Sequence, residues 1–76
     1  MIFLIEGFYK KQNYPSVFYK ICTDKKQSIL ISTLLENIDD TNNVFHDEVR
    51  NILDIANISI DNIVYDEYKW KIYYER

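Results

Sequence analysis

The chain has 76 residues, a formal net charge of −3, 47% hydrophobic and 16% aromatic residues, one Gly and one Pro. That stock suits a single globular domain over residues 1–76, near the size at which one core just suffices, and excludes a disordered tail or linker. An acidic chain whose only arginines are Arg50 and Arg76 is also a poor candidate for phosphate binding. Ile, Asn, Lys and Tyr are abundant while Ala, Gly, Pro and Arg are scarce. An AT-rich genome would give that bias, so the Tyr and Asn counts carry no functional weight.

"MIFLIEGFYKK" reads as a first strand and "SVFYKICTD" as a second, both rich in β-branched and aromatic residues. Between them "QNYPS" supplies turn chemistry through Asn13 and Pro15, so the two strands should form an antiparallel hairpin. Gly7 lies inside the first strand and points to a bulge or a close backbone approach. Glu6 interrupts the apolar start and no basic stretch precedes it. The segment is too short for a signal peptide or a spanning helix, so a cytoplasmic location and no membrane partner are expected. Cys22 stands alone, which leaves no intramolecular disulfide and fits a reducing compartment. Its parity with Phe18 suggests a small core residue. Asn57-Ile58-Ser59 matches a glycosylation sequon, a chance match if the chain is not secreted.

Asp24 with Gln27 three residues on has the spacing of a capping box. Leu30, Ile31, Leu34, Leu35 and Ile38 follow at helical intervals, so residues 25–38 read as a helix, although β-branched "SILIST" would also suit a third strand. After the polar loop "DDTNN", Asn43 is placed to cap a second helix with an apolar stripe of Phe45, Val49, Ile52, Leu53 and Ala56. Asp47 and Glu48 occupy its first turn, where the helix dipole favours negative charge. A connector with Asp61-Asn62 leads to a last strand in which Val64, Tyr68, Trp70, Ile72 and Tyr74 share the parity to be buried. Asp66 breaks that parity and suggests a bulge or turn near "DEYK". The expected fold is α+β, order β-β-α-α-β: an antiparallel sheet of the N-terminal hairpin plus the C-terminal strand, with two helices on one face.

No acid–base pair, nucleophile constellation or phosphate loop is present, so an enzyme is not expected, and no cofactor or metal is implied. Successive His46, Asp47 and Glu48 diverge by about 100° each on a helix and do not converge on one ion. Lys69, Trp70, Lys71, Tyr73 and Tyr74 interleave cations with rings, as a single-strand-binding surface needs. The overall charge and the core parity of Trp70, Ile72 and Tyr74 argue against it, and no direct nucleic-acid contact is expected.

The charge map is the more informative feature. Residues 1–26 hold five lysines against Glu6 and Asp24, a net of +3; residues 27–67 hold nine acids against Arg50, a net of −8; residues 68–76 return to +2. A face bearing Asp39, Asp40, Asp47, Glu48 and Asp54 can solvate the domain or steer it to a basic protein partner. Compact, acidic, motif-poor domains of this composition are typical of small phage or mobile-element proteins, anti-CRISPR and other anti-defence inhibitors among them. By that analogy of size and composition, the expected function is a non-enzymatic inhibitor of a nucleic-acid-handling protein. The alternative is a self-associating module in which the tail (Lys69, Lys71, Tyr73) or the first strand pairs across an open sheet edge, with a monomer–homodimer equilibrium weighted to the dimer.

Overall fold

A computed structural model describes residues 1–60 and 67–75. The elements run β1 (Ile2–Tyr9), β2 (Val17–Cys22), α1 (Lys25–Glu36), α2 (His46–Ile55) and β3 (Tyr68–Glu75). The sheet is antiparallel in the order β2-β1-β3, with Phe3 opposite Ile21 and Tyr74, and Ile5 opposite Tyr19 and Ile72. β1 is therefore the central strand, which accounts for its nearly unbroken apolar run. The expectations for Asp61-Asn62, Val64 and Asp66 fall outside the described residues.

One sheet face carries Phe3, Ile5, Trp70 and Ile72, and packs with Ile31 and Leu35 of α1, Val49, Ile52 and Leu53 of α2, and Ala56 in one buried cluster. Each large side chain fully removed from water contributes about 1.5–3 kcal/mol. Gly7 lies opposite both Val17 and Trp70 in the ladder. A Cβ there would sit 2.5 Å from Val17 Cγ2 and 2.8 Å from Trp70 Cζ3, so the glycine makes room for the indole. The close approach expected at this position is real. The hairpin turn differs in one detail: the left-handed residue near its start is Lys10, with φ 52°, and not Asn13.

The Asp24–Gln27 capping box forms in both directions: Gln27 N–H donates to Asp24 Oδ1 at 2.7 Å, and Asp24 N–H donates to Gln27 Oε1 at 3.1 Å. "SILIST" is helical, since Ile31 and Leu35 bury on one face while Ile29 stays exposed. α1 ends at Glu36, two residues before the expected limit.

α2 starts later than Asn43 would allow. Val44 is drawn into the sheet instead, donating to Trp70 O at 2.7 Å and accepting from Trp70 N–H at 2.9 Å. Its extended backbone leaves Phe45 as the N-cap residue, with no side-chain cap. Phe45 consequently leaves the expected stripe and is 55% exposed, while Val49, Ile52, Leu53 and Ala56 are buried as the periodicity requires. Asn57 ends the helix at φ 57°, with Ile58 N–H on Leu53 O at 2.8 Å and Asn57 N–H on Asp54 O at 3.1 Å. This is a Schellman closure in which asparagine takes the left-handed position usually given to glycine.

Ile72 N–H also donates to Thr41 O at 3.0 Å. The segment Thr41–Val44 thus covers the outer edge of β3 at Trp70 and Ile72. β1 is central, and the middle of the outer edge of β3 is covered, so neither strand named in the self-association alternative presents a fully open edge. Among the described residues, no helix is long and apolar enough to cross a membrane.

Candidate protein-binding surface

The five acids singled out by charge are all exposed, but the fold does not bring all of them together. Asp39 and Asp40 lie in the connection between the helices. Asp40 Oδ1 accepts from Asn42 N–H at 3.0 Å, which fixes its carboxylate at the turn. Glu48, in the first turn of α2, faces the same shallow depression of 310 Å³, whose wall also includes Asn37, Ile38, Asn43 and Phe45. The depression therefore combines three carboxylates with an exposed ring.

Asp47 sits beside it and pairs with His46 Nε2 at 3.0 Å. Asp54 is seven residues further along α2, about 10 Å away on the axis, and takes no part in the depression. His46, half-buried at the start of α2, has Asp47 as its contact, and no three His, Cys, Asp or Glu among the described residues converge to hold a metal ion.

The aromatic and basic tail is organised differently from a stacking platform. Trp70 and Ile72 are buried. Tyr74, expected in the core with them, is 40% exposed: it stands edge-on to Phe3 at 5.7 Å and lines an open depression with Ser32, Leu35 and Glu36 of α1. On the outer face, Lys69 Nζ lies 3.9 Å from the Phe45 ring centroid, and Lys71 Nζ lies 4.8 Å from that of Tyr73. The Tyr73 hydroxyl donates to Glu6 Oε1 at 2.5 Å. That hydrogen bond, then burial, then the nearby charges of Glu6 and Glu75 raise the phenol above its usual 10.0, since each opposes phenolate. Of the tail's rings, Tyr73 thus carries a lysine over it, while Tyr74 is exposed.

Cys22 does share its face with Phe18, but that face is the outer one: Cys22 is exposed and Phe18 is 54% exposed. The inner face of β2 is built by Val17, Tyr19 and Ile21, each half-buried against the core. Leu4, also on the outer face of the sheet, is buried there between its ladder neighbours Lys20 and Tyr73. The Lys20–Glu75 ion pair at 3.4 Å helps to close over it.

Sequence reasoning missed Phe45 as a surface residue and Thr41–Val44 as an edge cover. The one signal available was Val44 itself, an apolar residue out of phase with the α2 stripe. No protein-family model, curated protein or solved structure matches this chain.

Proposed function

We propose that the protein is a small protein-binding inhibitor that occupies the cation-rich surface with which a partner handles nucleic acid. In this reading it belongs with the anti-defence proteins of phages and mobile elements, anti-CRISPR proteins included. The observation that carries the proposal is the grouping of Asp39, Asp40 and Glu48 around one depression with exposed Phe45 in its wall. Carboxylates spaced along a surface compete with phosphates for a partner's Lys and Arg, and an adjacent ring gives the contact an apolar anchor. Asp47 extends the patch, and Asp54 contributes at longer range.

The test is neutralisation of Asp39, Asp40 and Asp47 to Asn with Glu48 to Gln. Folding should survive, since exposed acids add little beyond a helix-dipole contribution of about 0.3–1 kcal/mol each for Asp47 and Glu48. Against a partner captured from the native host, the on-rate at low salt should fall by about tenfold or more, and its salt dependence should flatten. Equal on-rates for parent and variant at low and high salt would mean that the acids only solvate the domain.

A further inference from the structure

We infer that two copies of this chain pair through β2, antiparallel and centred on Tyr19, to form one continuous six-stranded sheet. The free backbone groups follow from the hairpin register. Thr23 N–H donates to Met1 O at 2.9 Å, and the terminal ammonium of Met1 donates to Thr23 O at 3.3 Å. Met1 and Thr23 are therefore a reciprocally bonded pair. Alternation along an antiparallel ladder then turns the N–H and C=O of Ile21 and Tyr19 toward β1, and those of Phe18, Lys20 and Cys22 away from it. Among the described residues, no other element bonds to the backbone of these three.

The strand lacks the usual obstacles. Pro15 lies outside it, and its register with β1 is unbroken from Val17 to Cys22. Its one charge is Lys20, whose ion pair with Glu75 at 3.4 Å is half-exposed and of the weak surface kind, so the ammonium can turn toward a ring of a second copy. The opposite edge of the sheet is covered by Thr41–Val44, so β2 is where backbone pairing can continue.

Side chains select both the occupant and the register. Centring the two-fold axis on Lys20 would set that lysine opposite its own copy, a like-charge pair that disfavours the register. Centring it on Ile21 would leave exposed Phe18 opposite Asp24 of the second copy. Centring it on Tyr19 places each Phe18 opposite Lys20 of the other copy, a ring facing a cation, on the outer face. On the inner face, half-buried Val17 then meets Ile21 of the second copy, and the two Tyr19 rings adjoin. Phe18 and Lys20 exchange both backbone bonds in this register, twice by symmetry. The edge is thus complementary to itself.

The native cysteine provides the probe, because Cys22 is exposed and is the only one in the chain. Spin labels on Cys22 should report a separation consistent with Cα atoms about 21 Å apart, against about 14 Å for the register centred on Lys20. Sedimentation equilibrium of the unlabelled protein should give a dimer fraction that rises over a hundredfold range of concentration. Lys20→Pro removes an N–H that points away from β1, so the hairpin keeps its bonds while the dimer loses two; its dissociation constant should rise by about thirtyfold. Phe18→Lys sets lysine opposite lysine and should likewise weaken association, with circular dichroism confirming the fold of each variant. If Lys20→Pro fails to fold, Phe18→Lys and the label separation decide the matter. A 9.2 kDa monomer at every concentration, another label separation, or a dimer indifferent to the folded variants would overturn the inference.

Discussion

Gly7→Ala is the sharpest test of how this core is assembled. Gly7 does not have a positive φ, so its backbone tolerates alanine, and a strand glycine replaced by alanine would ordinarily gain about 0.4–1 kcal/mol through the unfolded state. Here the new Cβ would lie 2.5 Å from Val17 Cγ2, 2.8 Å from Trp70 Cζ3 and 3.0 Å from Trp70 Cη2. Carbon atoms settle at about 3.5–4.0 Å, so the neighbours must retreat by about 1 Å. Neither can do so easily: Val17 is β-branched and stiff at χ1, and Trp70 is fully buried. Overpacking of this kind costs about 1–3 kcal/mol, which leaves a net loss of about 1–2 kcal/mol. In a domain of this size each kcal/mol lowers Tm by about 4–8 °C. Urea and thermal unfolding followed by far-UV circular dichroism would read the change. Trp70→Phe removes the two crowding ring atoms, so Gly7→Ala should cost less in that background, with a favourable coupling of about 0.5–3 kcal/mol. A Gly7→Ala variant as stable as the parent, or strict additivity in the double variant, would refute the claim that this glycine exists to admit the indole.

Trp70→Ala should cost about 3–5 kcal/mol, a large part of the roughly 4–11 kcal/mol expected for a chain of this length, and parent-like melting would contradict its central place in the core. The Tyr73 phenol is held above 10.0, so the stability from its bond to Glu6 is fully present below pH 10 and is lost as pH rises through the folded-state value. Glu6→Gln should move the Tyr73 ultraviolet titration to lower pH; an unchanged titration would deny the interaction. Oligonucleotides, single- or double-stranded, should show no specific binding at physiological salt. Saturable, steeply salt-sensitive binding lost on Lys69→Glu with Lys71→Glu would reverse that expectation.

The features legible in the sequence are those with local causes. The Asp24–Gln27 box and the α2 stripe from Val49 to Ala56 involve residues a few positions apart, and their chemistry acts at that range. Gly7 signalled close packing because a lone glycine in an apolar strand has few other uses. The misreadings have non-local causes. Asn43 has the right chemistry for a cap, but Trp70, far along the chain, takes the backbone of Val44 and delays the helix. The face of Cys22 was misjudged because both parities of β2 contain apolar residues; Lys20, which shares its parity with Cys22 and Phe18, marked the solvent side. Charge alone located the acidic segment. Only the late start of α2 determines that Glu48 joins Asp39 and Asp40 while Asp54 stands apart.

The cover that Thr41–Val44 lays along β3 has a consequence for how far association can spread. A sheet with two bare margins can template growth without limit, each added copy presenting a fresh one, and the product is a fibre. This sheet is capped along one margin at Trp70 and Ile72, so the edge-wise pairing inferred for β2 would use up the one fully bare margin and would terminate at two copies. The bonds from Val44 to Trp70 and from Thr41 to Ile72 are then also a guard against polymerisation. Loosening that segment, by Val44→Gly for example, should convert a self-limiting particle into one that elongates.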